Sequence, residues 1–267
     1  MKRLGKIITL AMMLTAATTG VALATPSTQI WIPSTDIQPY GTFHLNIDNY
    51  VRVSKAAPDA DGNRARVAPT YVIGPTVGIL PFEKLQAEVG FDYINQGSNT
   101  LDNHPFYFHA KVGTPEDSLF KNSPALAIGG YNFGTKNFDV GANYGTKQNM
   151  VYALVAKTLP AIGPVPSLGR LSAGYYRGSK HVLVDENGKA ANDGVLLSWD
   201  RTMSEISDKL WAAVDYQGGH NANGALNFGV SWAFSKNVSV IFGYDIYLQR
   251  TTGGPNTFTT QVDINFP

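Results

Sequence analysis

Residues 225–234 read ALNFGVSWAF, and the alternation in them has no fault. Leu226, Phe228, Val230, Trp232 and Phe234 share one parity; Ala225, Asn227, Gly229, Ser231 and Ala233 share the other. Side chains of a β-strand point alternately to two faces, so this segment has one bulky apolar face and one small, more polar face. A helix would scatter the same pattern around its circumference. Which face points inward decides the class of the molecule. A soluble sandwich buries the bulky side, whereas a membrane barrel turns it outward to lipid.

Segments of the same kind recur from residue 41 to the C-terminus, and twelve can be read: 41–53, 70–80, 85–93, 105–112, 124–133, 151–159, 170–176, 194–202, 209–217, 225–234, 237–249 and 256–266. The last is typical, with Phe258, Thr260, Val262, Ile264 and Phe266 opposed to Thr257, Thr259, Gln261, Asp263 and Asn265. Residues 151–159 are apolar on both parities as far as Lys157, which leaves their register open. Strands of about ten residues with a dyad repeat are the pattern of transmembrane β-barrels.

The connections alternate as well. Links after even-numbered segments are short or intermediate, such as 81–84 and 235–236, and those after odd ones are mostly longer and rich in Gly, Asn and Asp, such as 54–67, 94–104, 134–149 and 177–193. Short turns at one rim and long loops at the other are expected of an outer-membrane barrel, with the short turns periplasmic. NFGTK at 132–136 nearly recurs as NYGTK at 143–147, and the stretch between is read as a loop or raised hairpin, since an extra strand would make the count odd. Asn187-Gly188 signals a type I′ turn and an extended hairpin in the loop it occupies.

Composition narrows the class further. Charged residues are 15% of the chain, below the roughly 25% of soluble domains. There is no cysteine, so an exported domain of this length depends on hydrogen bonds and packing rather than disulfides. Lys2, Arg3 and Lys6 precede an apolar run over 7–24 that ends in Ala22-Leu23-Ala24, which reads as a signal peptide over 1–24. Its removal takes the formal charge from +1 to about −2, a balance that argues against a nucleic-acid partner. Residues 25–40 are then an N-terminal periplasmic segment, and 41–267 a barrel.

The polar parity settles the facing. It carries Asp48, Glu88, Asp92, Lys111, Asp200, Asp215, Asp245 and Asp263, with Asn227, Ser231 and Gln261 among them, but few long charged chains. That suits a crowded wet lumen better than a surface in bulk water. Leu226, Phe228, Val230, Trp232, Val240, Phe242, Val262 and Ile264 then face lipid. Closure is required, because every backbone group in lipid must be paired. Tyr93, Trp199, Tyr216, Trp232, Phe234 and Phe266, near strand ends, would form an interfacial girdle. The expected fold is all-β: a closed antiparallel transmembrane barrel of about 12 strands.

The terminal TFTTQVDINF, residues 257–266, with apolar residues alternating back from Phe266, resembles the last strand of outer-membrane β-barrel proteins of Gram-negative bacteria. That resemblance implies residence in the outer membrane, contact with its lipid, and Phe266 as the aromatic that the barrel insertion machinery reads. Pro267 follows that aromatic, a departure from the usual end. The likeness is porin-like in architecture and singles out no subfamily.

Chemical motifs are sparse. No G-x-S-x-G is present, and none of the five histidines has a serine or acid at a telling spacing. DADGN at 59–63 begins like a calcium loop but has Arg64 and Thr70 where glycine and glutamate are needed, so it reads as a solvated loop. Neither a cofactor nor a metal is expected. The expected function is a small passive channel for ions or small polar solutes, mildly cation-preferring, because the lumenal acids outnumber Lys111, Lys157, Arg52 and Arg170. The competing expectation for charge is that Lys111 pairs with Glu88 or Asp92 on the next strand. The alternatives for function are a structural or surface-interaction barrel working through its outer loops and, less favoured, an outer-membrane hydrolase.

Overall fold

In the computed structural model the alternating segments close on one another. The structure describes residues 27–56, 58, 61–161, 163 and 167–266. The signal peptide expected over 1–24 lies outside them. Twelve strands follow in chain order: β1 (Phe43–Arg52), β2 (Thr70–Gly78), β3 (Gln86–Asn95), β4 (Phe106–Thr114), β5 (Ala125–Gly134), β6 (Lys147–Leu159), β7 (Gly169–Arg177), β8 (Asp193–Thr202), β9 (Leu210–Gln217), β10 (Ala225–Ala233), β11 (Val238–Tyr247) and β12 (Thr257–Phe266). Each pairs antiparallel with its neighbours, and β12 returns to β1 from Phe43↔Phe266 to Arg52↔Thr257, closing the barrel. The Phe43 and Phe266 rings meet at 5.8 Å across that seam.

Period two is what makes closure compatible with this sequence. On β10, Val230 is 45% exposed on the outer wall and its neighbour Ser231 is 2% exposed within. Leu226, Phe228, Trp232 and Phe242 are exposed on the outer wall, and Val240, Val262 and Ile264 are part-exposed. β6 resolves the ambiguous stretch: Met150, Tyr152, Leu154 and Ala156 are buried, and Val151 and Val155 are exposed.

One rim, where β1 begins, carries the short link 234–237; the other carries the long links 53–69 and 178–192. Residues 135–146 hold one isolated bridge, Asp139↔Tyr144, so the stretch is a small hairpin and adds no strand to the barrel. The repeated asparagines Asn132 and Asn143 both have positive φ, and Asn132 marks a register shift between β5 and β6. The loop 178–192 does contain a hairpin, with the bridge Val184↔Ala190. Its turn is not type I′, because only Gly188 has positive φ (74°), not Asn187. The Asp185 carboxylate takes the Lys189 and Asn187 amides instead, which holds its pKa below the usual carboxylate range.

The N-terminal segment departs most from expectation. It does not project below the barrel. Residues 27–38 lie inside it.

Candidate functional site

A tight hairpin occupies the lumen. Thr28 and Pro33 form an antiparallel bridge, Gln29 N donates to Ile32 O at 2.8 Å, and Ser34 N donates to Ser27 O at 3.2 Å. Ile30 and Trp31 form the tip. The chain then descends through Asp36 and Gln38 to the rim, where Gly41 N donates to Gly78 O at 3.0 Å. A Cβ at Gly78 would overlap the carbonyl oxygens of Gln38 and Pro39, so the entry depends on a residue without a side chain there. The Ile30 side chain likewise rests on Gly229 and Gly243, which face each other across β10 and β11.

Four of the eight lumenal residues read from the sequence hold this hairpin. Asp215 Oδ2 accepts the amides of Ile30 at 2.8 Å and Trp31 at 2.9 Å, and its Oδ1 accepts Asn227 Nδ2 at 2.6 Å. Asp200 Oδ1 accepts Gln29 Nε2 and Arg170 Nε, each at 3.0 Å, while Arg170 Nη1 reaches Asp36 Oδ1 at 2.6 Å. Glu88 Oε2 accepts the Gln38 amide at 2.7 Å, and Glu88 Oε1 lies 3.3 Å from Lys111 Nζ. Lys111 also donates to the carbonyls of Ser27, Ser34 and Asp36. The cross-strand pairing of Lys111 with Glu88 is thus present, but its larger work is to bind the hairpin's backbone. Gln261 Nε2 completes the set by donating to Ile30 O at 2.8 Å.

The lumen is not polar all round. Met150, Tyr152, Leu154, Tyr176 and Leu196 turn inward from β6, β7 and β8 and pack with Ile32 of the hairpin. Leu183 joins them from the loop 178–192, which therefore folds over the far mouth on this side. A second dry contact joins Ile30 to Trp211, Ala213 and Ile241. Ser231, read as wet, sits between Trp211 and Ile241 on the neighbouring strands. Lys157, counted among lumenal cations, instead lies at the near rim, paired with Glu116 at 3.0 Å. The sequence sign of the dry half was the stretch 151–159, apolar on both parities.

What remains open is a cavity of about 310 Å³ between the hairpin and the β1–β4 wall. It runs from Arg52, Gln96 and Thr252 at the far rim to Glu88 and Lys111 near the other. Asp48, Asp92 and Asp263 line it, as do Trp31, Tyr50 and Tyr107. Arg52 is fixed at the mouth by Gly253 O at 2.9 Å and Pro255 O at 2.8 Å and lies over the Tyr247 ring. Asp245 is fully buried and accepts Thr257 Oγ1 at 2.6 Å, so it belongs to the wall. Of the lumenal histidines, His44 Nδ1 pairs with Asn265 Oδ1 at 2.9 Å and His109 Nε2 lies 3.4 Å from Thr76 Oγ1. Among the described residues no cluster of three or more His, Cys, Asp or Glu is arranged to hold a metal.

No family model matches the chain, and no curated protein does. Solved structures resemble it in shape. An outer membrane channel from Pseudomonas putida F1 is 14% identical with a TM-score of 0.48, covering 85% of this chain and 95% of its own. The NanC porin is 11% identical with a TM-score of 0.44, covering 84% and 99%. A porin from Rhodopseudomonas blastica is 8% identical with a TM-score of 0.40, covering 84% and 99%.

Proposed function

We propose that this chain is an outer-membrane β-barrel and a narrow passive channel for ions or small polar solutes, with a preference for cations. The observation that carries the reading is the polar cavity running beside the hairpin inside a wall whose outer face is apolar. An exposed apolar belt on a closed sheet is stable against lipid and costly in water. The signal peptide would deliver the chain for export, and Phe266, at the seam, would serve the insertion machinery. Cation preference follows from Asp48, Asp92 and Asp263 along a bore too narrow for bulk screening.

Planar-bilayer recording with purified protein tests this. Small discrete steps with a reversal potential favouring cations in a salt gradient are expected, and Asp48→Asn with Asp92→Asn should remove the preference. A silent or anion-selective protein would overturn it.

One observation favours the structural or surface-interaction alternative. The β6–β8 half of the interior is filled by Ile32, Leu183 and their partners. On that reading the barrel does not conduct, and its far-rim loops 53–69 and 178–192 carry the function. The same recording separates the two.

A further inference from the structure

The register of the sheet sorts the cavity wall into horizontal rows. Asn46 on β1 faces Gly74 on β2 and Asp263 on β12. Gly74 has no side chain, and a Cβ there would run into both Asp92 Oδ1 and Asn46 Oδ1, so these two side chains close over it. The result is a continuous polar row of Asp92, Asn46 and Asp263. Asp48 stands one step above it, opposite Gln261, and its Oδ2 accepts Asn46 Nδ2 at 3.0 Å. The row below holds His109, Thr76, His44 and Asn265.

These carboxylates have acceptor capacity that the protein leaves unfilled. Asp263 is 2% exposed, lines the cavity, and its Oδ1 accepts no hydrogen bond. His44 Nε2 lies 3.6 Å from that oxygen. His44 Nδ1 faces the side-chain oxygen of Asn265 at 2.9 Å, so the ring is already engaged on its other side. Asp48 Oδ1 is also buried without a hydrogen-bond partner. The other cavity acid, Glu88, is satisfied by Lys111 and the Gln38 amide. One step beyond Asp48 on the same strand, the Tyr50 ring meets Trp31 of the hairpin edge to face at 5.4 Å, offering aromatic surface.

We propose that the row Asp92–Asn46–Asp263, with Asp48 above it, binds a small organic cation that carries N–H donors, an alkylammonium or alkylguanidinium. Buried carboxylate oxygens lacking donors call for a ligand that supplies charge and N–H groups together. The aromatic pair accepts the alkyl stem and adds cation–π attraction. The cavity volume lies at the small end of ligand sites, which limits the ligand to a short chain. The proposal deepens the channel reading and rests on it only in that the lumen must be reached from water.

Isothermal titration of agmatine into the detergent-solubilised full barrel tests the site. Saturable binding is expected, weakened about tenfold or more by Asp263→Asn and by Asp48→Asn, with tetramethylammonium, which has the charge but no N–H, failing to compete. Heat-modifiable gel mobility reports folding of each variant, and if Asp263→Asn does not fold, Asp48→Asn carries the test. Absence of saturable binding, equal affinity in the folded variants, or equal competition by tetramethylammonium would overturn the proposal. A barrel that binds agmatine but is silent in bilayers keeps the site and loses the channel, and one that conducts without binding loses the site alone.

Discussion

The amide of Ile30 donates to Asp215 Oδ2 at 2.8 Å, linking the tip of the N-terminal hairpin to β9. The same oxygen takes the Trp31 amide. One buried carboxylate thereby satisfies two backbone donors that would otherwise be stranded in the lumen. Asp215→Ala is expected to release the hairpin tip at a cost of about 1–3 kcal/mol per unsatisfied group. The barrel itself should survive, since its ladders are untouched. Single-channel recording should show larger or more frequent openings than in the parent protein.

Gly78→Val should expel the hairpin by a different route. The new side chain would occupy the space of the Gln38 and Pro39 carbonyls. Limited proteolysis of folded protein is the measurement: residues 27–38 should become cleavable in the variant and remain protected in the parent.

Lys111→Met should destabilise by about 3–5 kcal/mol, because it leaves Glu88 buried without its cation. Adding Glu88→Gln should recover a large part of that loss. Urea unfolding in detergent, run as a double-mutant cycle, reports the recovery. Equal destabilisation in the single and double variants would assign the lysine's value to the hairpin carbonyls instead.

Val230→Arg places a charge on the outer wall and should cost about 2–4 kcal/mol if that wall faces lipid. The sequence pattern alone makes Ser231→Arg the tolerated partner experiment. The structure reverses this, because Ser231 lies between Trp211 and Ile241 and has no room for the side chain. The tolerated control is Val72→Arg, since Val72 lines the cavity opposite Asp48 on the neighbouring strand. A folding assay in bilayers should rank Val72→Arg well above Val230→Arg.

The strands were legible because two-residue periodicity is a property of each strand by itself. Each of the twelve alternating segments from residue 41 onward corresponds to a strand of the barrel. The interior was legible only in part, because filling depends on partners far apart in the chain. Nothing within 25–40 is periodic, and the fit of Ile30 onto Gly229 and Gly243 is invisible until β10 and β11 are side by side. Two local signals pointed to it: the apolar Ile30-Trp31-Ile32 just ahead of the first strand, and the double-sided apolarity of 151–159. Lys157 was misplaced for a related reason. Its parity is that of the outer wall, and its partner Glu116 belongs to a link with no period to read.

The hairpin's place in chain order has a consequence for assembly. Its residues precede every strand, yet they bond to β3 through Glu88, β4 through Lys111, β7 through Arg170, β8 through Asp200, β9 through Asp215 and β12 through Gln261. The cylinder is therefore wound on a former that lies ahead of every strand in the chain, and its seam between β12 and β1 closes around that former. Removing that former would leave the same staves, their girth still set by their own ladders, with nothing braced against them from within.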